Sequence, residues 1–228
     1  MQTLFLLHGA IGAADQLQPL AESLKDHYTV YTPDFSGHGG RDMPAEPFSI
    51  ARFAEDVLQE MAAKGLEKIT VFGYSMGGYV AMYLAKHHPE KIEKIITLAT
   101  KFHWDEATAA KEVQMVNADK IAEKLPAFAE TLAQRHAPND WRHVMERTGD
   151  MLTALGQQNA LQPEDYAGIT QPALVMLGDR DKMVGLDETL AVYKSLPNAQ
   201  MAMLPATGHP IEQADTGLLG FFIRRFAG

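Results

Sequence analysis

Short runs of apolar residues alternate along the chain with stretches in which apolar residues recur every three or four positions. Short runs bounded by Gly, Pro or Asp are typical of buried strands, and the longer spacing is typical of amphipathic helices. The predicted elements in chain order are strand 4–7, a helix through 17–24, strand 29–32, helix 50–61 with Ser49 as its N-cap and Gly65 as its stop, strand 69–72, helix 77–86, strands 95–99, 173–177 and 201–204, and a final helix ending near Phe226.

Strands that are regularly separated by helices predict a parallel sheet covered on both faces, which is an α/β fold. One stretch, 101–167, contains only helical patterns, interrupted by prolines. Because ligands of open α/β sheets bind at the carboxyl edge of the strands, an insertion between two strands is interpreted as a helical lid over that edge. The alternative is a set of helices that only thickens the domain. The predicted organisation is a core of 1–100 and 168–228 with a lid of 101–167.

Composition and charge exclude several classes of protein. The 228 residues are 46% hydrophobic and 21% charged, which is ordinary for a globular domain. The 20 basic and 29 acidic residues give a net charge of −9, which argues against a nucleic-acid partner. The absence of cysteine removes disulfides and thiolate chemistry. No signal peptide and no apolar run near the ~18 residues of a membrane span is visible. We therefore expect a cytoplasmic monomer or homodimer with no membrane partner.

The segment 69–78 carries the most informative motif, a strand that ends in Gly73-Tyr74-Ser75-Met76-Gly77 and passes at once into a helix. Turning so abruptly forces the serine into a strained conformation, and the flanking glycines remove side chains that would collide. The serine hydroxyl is then exposed at the sheet edge, near a helix N-terminus whose field favours negative charge. The motif predicts that Ser75 is a nucleophile.

A nucleophilic serine needs a base, and the base needs an orienting carboxylate. His209 follows the last predicted strand and lies at the same sheet edge as the serine. His8 and His38 lie in glycine-flanked loops and are expected to order the backbone there; His103, His136 and His143 of the insertion are expected to be solvated, although His103 could also face the pocket.

Three aspartates are candidates for the orienting acid. Asp179 and Asp181 both follow strand 173–177, and only one of the two can reach the imidazole. Asp34 is a third candidate, but its strand lies on the far side of the nucleophile's strand. The residues alone leave this choice open.

The order serine, aspartate, histidine along such a chain, with the serine on this tight turn, resembles the α/β-hydrolase superfamily. The resemblance runs from Leu4 to near Phe226 and leaves only the insertion unmatched. Three further segments carry it: His8-Gly9-Ala10 resembles the family's His-Gly loop, 34–39 its Asp-x-x-Gly-His-Gly loop, and 178–184 its acid loop, in which Asp181 holds the position of the triad carboxylate.

This resemblance implies a mostly parallel central sheet with helices on both faces. The usual pair of antiparallel strands ahead of the first strand is missing, which predicts a sheet shortened at its N-terminal end. It also implies an oxyanion hole formed by the backbone N–H groups of Ala10 and Met76. In the implied mechanism Ser75 attacks a carbonyl, His209 moves the proton, and Asp181 holds the imidazole tautomer.

The apolar insertion favours a small, largely hydrophobic acyl or alcohol group. We therefore expect a carboxylesterase, with thioesters or lactones as substrates that would use the same groups. Candidate substrate contacts are Tyr74, Phe102, Trp104, Met115 and Met145.

Three alternative functions stay open. The glycine pattern around Ser75 also resembles the menaquinone-pathway lyase branch, but Tyr79 occupies the place of the arginine that binds carboxylates there. Carbon–carbon bond hydrolases share the same outline. A third possibility is a ligand sensor that keeps the triad and turns over slowly.

No cofactor is expected. Residues 9–14 only faintly resemble a dinucleotide loop and lack its G-x-G core, and no Walker A or H-E-x-x-H sequence is present. Asp179 and Asp181 alone cannot make a metal site, which needs three or four converging ligands. The expected partner is a small-molecule substrate.

Overall fold

A computed structural model describes all residues 1–228 and contains one six-stranded sheet in which every neighbouring pair of strands is parallel. The strands lie in the order β2-β1-β3-β4-β5-β6. The α/β fold expected from the alternation of patterns is therefore confirmed, and the sheet is parallel throughout. Its strands are β1 Gln2–Leu7, β2 Tyr28–Tyr31, β3 Ile69–Tyr74, β4 Ile92–Leu98, β5 Ala173–Gly178 and β6 Ala199–Leu204.

Nine α-helices cover the sheet and fill the insertion. They are α1 Gln18–Leu24, α2 Ile50–Ala63, α3 Met76–His87, α4 Glu106–Met115, α5 Ala118–Lys124, α6 Pro126–His136, α7 Trp141–Gln157, α8 Leu186–Ser195 and α9 Thr216–Ala227. None of them combines the length and the apolar character needed to cross a bilayer.

Alternating side chains of each strand feed two separate cores. Phe5 and Leu7 of β1 pack into a core shared with α2, α3, α8 and the insertion, whereas Leu4 and Leu6 pack against α1 and α9. Because successive side chains of a strand point to opposite faces, an unbroken apolar run is what a strand covered on both sides requires. This pattern is why the sequence located the strands.

The sequence prediction places the beginnings of four strands too late along the chain. β4 begins at Ile92 rather than at 95, β1 at Gln2 rather than at 4, β6 at Ala199 rather than at 201, and β2 at Tyr28 rather than at 29. In β4 the exposed Glu93 and the half-buried Lys94 separate the buried Ile92 from the apolar run that begins at Ile95. Polar side chains at a strand end are solvated and cannot be told from a loop by pattern alone.

The stretch between β4 and β5 holds α4 to α7 and one 3-10 helix, Pro163–Gly168, and no strand. Helix α4 begins after Asp105, whose carboxylate accepts the N–H of Thr108, and α7 begins after Asp140, which accepts the N–H of Arg142. These N-caps satisfy N–H groups that lack partners within the first turn. The helices of the insertion are thus defined by local sequence signals.

A buried carboxylate fastens the loop after β2 to the sheet-covering helix α2. Asp56 is 1% exposed, and its two oxygens accept the backbone N–H and the hydroxyl of Ser36 at 2.7 and 2.6 Å. Arg41 and Arg52 lie 3.3 and 3.7 Å from the same carboxylate. A buried charge is tolerated when hydrogen bonds and opposite charges compensate its lost hydration.

Replacing this carboxylate is expected to destabilise the fold. Asp56→Ala leaves two buried donors of Ser36 and two guanidinium groups without their acceptor, and should lower the free energy of unfolding by about 3 kcal/mol. Urea denaturation followed by circular dichroism measures the change. Glu55→Ala, one residue away and with a 62% exposed side chain, is the matched control and should change stability by less than ~0.5 kcal/mol. Equal effects of the two variants would contradict this account.

Candidate active site

Ser75 lies on the abrupt turn between β3 and α3, with φ +52° and ψ −119°. A non-glycine residue in this region is strained and persists only where the surrounding structure enforces it. Here the N–H of Ser75 donates to the carbonyl of Leu98 in β4 at 2.9 Å, which ties the turn to the neighbouring strand. The hydroxyl is thereby held at the carboxyl edge of the sheet.

The glycines on either side of the turn are required by close backbone contacts. A Cβ at Gly73 would overlap backbone atoms of Gly77 and Gly78, and a Cβ at Gly77 would overlap the carbonyls of Leu7 and His8. Helix α3 therefore starts against the end of β1 at a distance that no side chain allows. The motif expected from the sequence has this steric origin.

His209 lies beside the serine. Its Nε2 is 3.3 Å from the Ser75 hydroxyl, and its Nδ1 is 2.9 Å from an oxygen of Asp181. An ionised carboxylate can only accept, so Nδ1 carries the proton and Nε2 is free to accept from the serine. His209 is 134 positions from Ser75 and 28 positions from Asp181 along the chain, and the fold joins the three side chains by hydrogen bonds.

Asp181, rather than Asp179 or Asp34, is the carboxylate that contacts the imidazole. The second oxygen of Asp181 accepts the N–H groups of Met183 and Val184 at 2.8 and 2.9 Å. Asp179 instead accepts the N–H of Thr207, and Asp34 accepts the N–H of Ala14. The geometry therefore resolves the choice that the residues alone left open.

The Asp181 side chain has no exposed surface. Burial by itself raises the pKa of a carboxyl, but the hydrogen bonds from His209, Val184 and Met183 and the nearby imidazole outweigh it and lower the pKa below its usual value. The acid is therefore ionised at neutral pH and able to orient the imidazole.

The residues expected to form an oxyanion hole face the same cavity as the serine. Met76 is the first residue of α3, where an N–H has no partner within the helix. The N–H of Ala10 has no acceptor in the chain. Two unpaired backbone donors beside a nucleophile can stabilise a negatively charged oxygen.

The cavity above Ser75 has a volume of about 350 Å³, and 17 of its 26 lining residues are hydrophobic. The insertion supplies nine of these 17 hydrophobic residues, one of which is Trp104. The lining residues from the insertion include Met115, Val116, Ile121, Leu125, Phe128, Met151, Leu152 and Leu155.

Three of the five candidate substrate contacts, Tyr74, Trp104 and Met115, line this cavity, and two do not. Phe102 is buried elsewhere because its ring packs edge-on against Tyr166, with ring centroids 5.8 Å apart. Met145 is 1% exposed within the packing of α7. The expectation that Phe102 and Met145 contact substrate is corrected accordingly.

The other histidines behave as expected except for His136. His8 and His38 do order loops, through hydrogen bonds of their Nδ1 atoms with the carbonyls of Gly9 and Ser36. His103 is exposed and does not line the cavity, and His143 is exposed. His136 was expected to be solvated, which is wrong: it has no exposed surface, because it ends α6 against two loops of the core.

Charged groups in the cavity wall were not found from the sequence. Lys101 donates to the carbonyl of Met183 at 2.6 Å and lies 3.7 and 3.6 Å from Glu112 and Glu188. Arg135 pairs with Asp15 at 3.1 Å. Lys101 follows β4 at the carboxyl edge of the sheet, and this position in the sequence is a signal that it lies near the site. No sequence pattern indicates that the side chains of Glu112 and Arg135 face the cavity.

The stability contributed by Asp181 should depend on pH. Its folded-state pKa lies below the usual 3.8, so the ionised form stabilises the fold above that value and the contribution is lost as pH falls through the folded-state pKa. Asp181→Asn should lower the free energy of unfolding by about 1–3 kcal/mol at pH 7, and the difference should shrink below about pH 4. Urea denaturation between pH 7 and pH 3.5 measures it. Asp179→Asn, at the exposed aspartate two positions earlier, is the control. A stability difference between wild type and Asp181→Asn that grows on acidification would refute the lowered pKa of Asp181.

The fold is shared with known proteins. The chain is 26% identical over 230 residues to a 2-hydroxymuconate semialdehyde hydrolase of Pseudomonas putida, covering 92% of this chain and 82% of that protein. The structure superposes on MenH from S. aureus with a TM-score of 0.80 at 24% identity, covering 99% of this chain and 92% of that one. It superposes on a thermophilic esterase of Thermogutta terrifontis with a TM-score of 0.77 at 23% identity, covering 100% and 89%.

A family model described as alpha/beta hydrolase fold matches residues 2–140, more than half of the chain. This match includes the strained turn of Ser75 and the loop of Ala10. The chain is therefore an enzyme of the alpha/beta hydrolase fold family.

Proposed function

We propose that this enzyme is a serine hydrolase that cleaves a small, largely apolar carboxylic ester. The observation that carries the proposal is the continuous line of hydrogen bonds from Ser75 through His209 to Asp181, opening into an apolar cavity. Nucleophile, base and orienting acid stand in the relation that acyl transfer requires. Thioesters and lactones present the same reacting carbonyl.

In the proposed mechanism His209 accepts the hydroxyl proton of Ser75 as the serine oxygen attacks the substrate carbonyl. The negative charge on the carbonyl oxygen is stabilised by the N–H groups of Ala10 and Met76. His209 then donates the proton to the departing alcohol, which leaves an acyl group on Ser75. A water attacks this ester as His209 accepts its proton, and the same donors stabilise the second tetrahedral intermediate. Its collapse breaks the bond to Ser75 and releases the acid, while His209 returns the proton to the serine oxygen.

The side chains of the insertion support a role for 101–167 as a lid that selects apolar substrates. Met115, Leu125 and Phe128 line the cavity and are 60%, 56% and 37% exposed. Large apolar side chains that stay exposed around a cavity are typical of a surface that receives an apolar ligand. Met is well suited to adapting to different shapes.

The surroundings of Tyr79 argue against the lyase chemistry considered as the alternative. Its hydroxyl accepts the N–H of Leu161 at 3.0 Å, and burial raises its pKa to about 12, so it is neutral at physiological pH. The two cations of the cavity wall, Lys101 and Arg135, are each paired with a carboxylate. No unpaired positive charge is thus offered to a substrate carboxylate, which favours a neutral ester.

The proposal predicts ester hydrolysis that depends on Ser75. Wild-type protein should hydrolyse p-nitrophenyl esters, and Ser75→Ala should lose at least ~10³-fold in kcat, because the nucleophile is removed while the cavity remains. Release of p-nitrophenolate along a series of increasing acyl length measures the activity, and a fluorophosphonate probe reports labelling of the serine.

The exposed Ser195 at the end of α8 provides a matched control, and Ser195→Ala should retain wild-type rates. Labelling of Ser75 without ester turnover would shift the assignment to the lyase or sensor alternatives. Full activity in Ser75→Ala would refute the serine mechanism altogether.

A further inference from the structure

His136 ends helix α6 of the insertion and is wholly buried, yet it takes no part in the triad. Its Nδ1 accepts the N–H of Gly39 at 3.3 Å, and its Nε2 lies 3.1 Å from the carbonyl oxygen of Ile11. Since Nδ1 accepts, the proton of the neutral ring is on Nε2, which donates to Ile11. One side chain of the insertion thus joins two loops of the core.

Ile11 is the residue after Ala10, and its backbone is strained. Its φ is +54°, a value that is a genuine outlier for a β-branched residue. Such a conformation persists only where the surroundings hold it. Within the loop, the N–H of Gly12 donates to the carbonyl of Gly9 at 3.2 Å. The bond from His136 to the Ile11 carbonyl is the contact that fixes this turn from outside.

We propose that His136 is a positioning residue for the oxyanion hole, which holds the Ile11 carbonyl and thereby keeps the N–H of Ala10 directed at the carbonyl oxygen of a substrate on Ser75. The proposal rests on the serine hydrolase function proposed above. It makes the insertion part of the catalytic machinery, in addition to its role as a wall of the cavity.

The environment keeps His136 in the neutral form that both bonds require. Burial lowers its pKa, the hydrogen bond to Ile11 partly opposes this, and the charge of Arg135 lowers it further. The ring also lies edge-on to buried His38, with centroids 5.6 Å apart. A neutral ring at neutral pH can donate from one nitrogen and accept at the other.

Neighbouring residues dock this end of α6 firmly. The side-chain amide of Asn139 donates to the carbonyls of Gly37 and Arg41 at 3.2 and 2.7 Å. The loop that carries Gly39 is therefore held by two hydrogen bonds from the Asn139 amide and by one hydrogen bond to His136.

Three substitutions separate the two hydrogen bonds of His136. In His136→Gln the amide reaches the place of Nε2 and keeps a donor for Ile11. In His136→Asn the shorter amide reaches the place of Nδ1 and keeps only the acceptor for Gly39. His136→Leu keeps neither. If positioning of Ala10 is the function of the side chain, the Gln variant should retain most of the activity and the other two should not.

The measured quantity is kcat for a p-nitrophenyl ester, normalised to sites titrated by the fluorophosphonate. Asn and Leu variants should lose about 10- to 100-fold in kcat with KM changed less than ~3-fold, somewhat less than the roughly 10²–10³-fold effect of deleting an oxyanion donor. The Gln variant should stay within about 3-fold of wild type. A loss confined to kcat is what a transition-state interaction predicts.

Two controls separate positioning from simple destabilisation. Leu132→Ala, one turn earlier on α6 and with no exposed surface, weakens the packing of the same helix and leaves both hydrogen bonds of His136 in place. His143→Gln removes an exposed imidazole of the insertion. Neither should lower normalised kcat more than about 3-fold, whatever the change in stability.

Hydrogen–deuterium exchange gives a readout that needs no turnover. The amide of Gly12 should exchange faster in the Leu and Asn variants than in the Gln variant, the Leu132→Ala control or wild type. Absence of ester turnover in wild-type protein would count against the proposed function alone, and exchange would still decide the role of His136. Equal kcat and equal exchange in the Gln, Asn and Leu variants, or the same losses in Leu132→Ala, would overturn the proposal.

Discussion

The site depends on the strained backbone of Ser75, held between a buried strand and a helix. A serine at φ +52° keeps this conformation only because the sheet on one side and α3 on the other constrain its backbone. Gly73 and Gly77 allow the helix to start against the ends of β1 and β3, and Leu98 accepts the serine N–H. The strain places the hydroxyl beyond the sheet edge, where other loops can reach it.

The parallel sheet brings those loops together. The ends of β1, β3, β5 and β6 all lie at the same edge, because every strand runs in the same direction. The loops after them carry Ala10, Ser75, Asp181 and His209. Hydrogen bonds hold three of these groups: Met183 and Val184 donate to Asp181, Asp181 contacts His209, and the N–H of Ser75 donates to Leu98. The strands therefore determine how far apart these loops lie, and the loops supply the side chains and N–H groups of the site.

The insertion between β4 and β5 forms part of the cavity wall above Ser75. It covers the edge with an apolar wall and anchors to the core at the end of α6, through His136 and Asn139. Similar proteins at 23 to 26% identity are named as a thermophilic esterase and a 2-hydroxymuconate semialdehyde hydrolase, so the fold alone does not assign a substrate.

The sequence by itself determined the strands, the order of the elements and the positions of Ser75 and His209, because these depend on local features: apolar runs, glycine spacing and the end of a strand. Family resemblance identified Asp181, whereas the residues alone left Asp179 and Asp34 open. Only the tertiary structure decided which side chains of the insertion face the cavity, which is why Phe102 and Met145 were misplaced.

The burial of His136 also depends on the tertiary structure. Its partner Ile11 lies 125 positions away along the chain, and no local pattern encodes such a contact. The paired charges of Lys101 and Glu112 also come from different elements, a loop after β4 and helix α4. A helix of the insertion turns a given side chain inward or outward according to how it packs on the core, and that packing is a property of the whole fold.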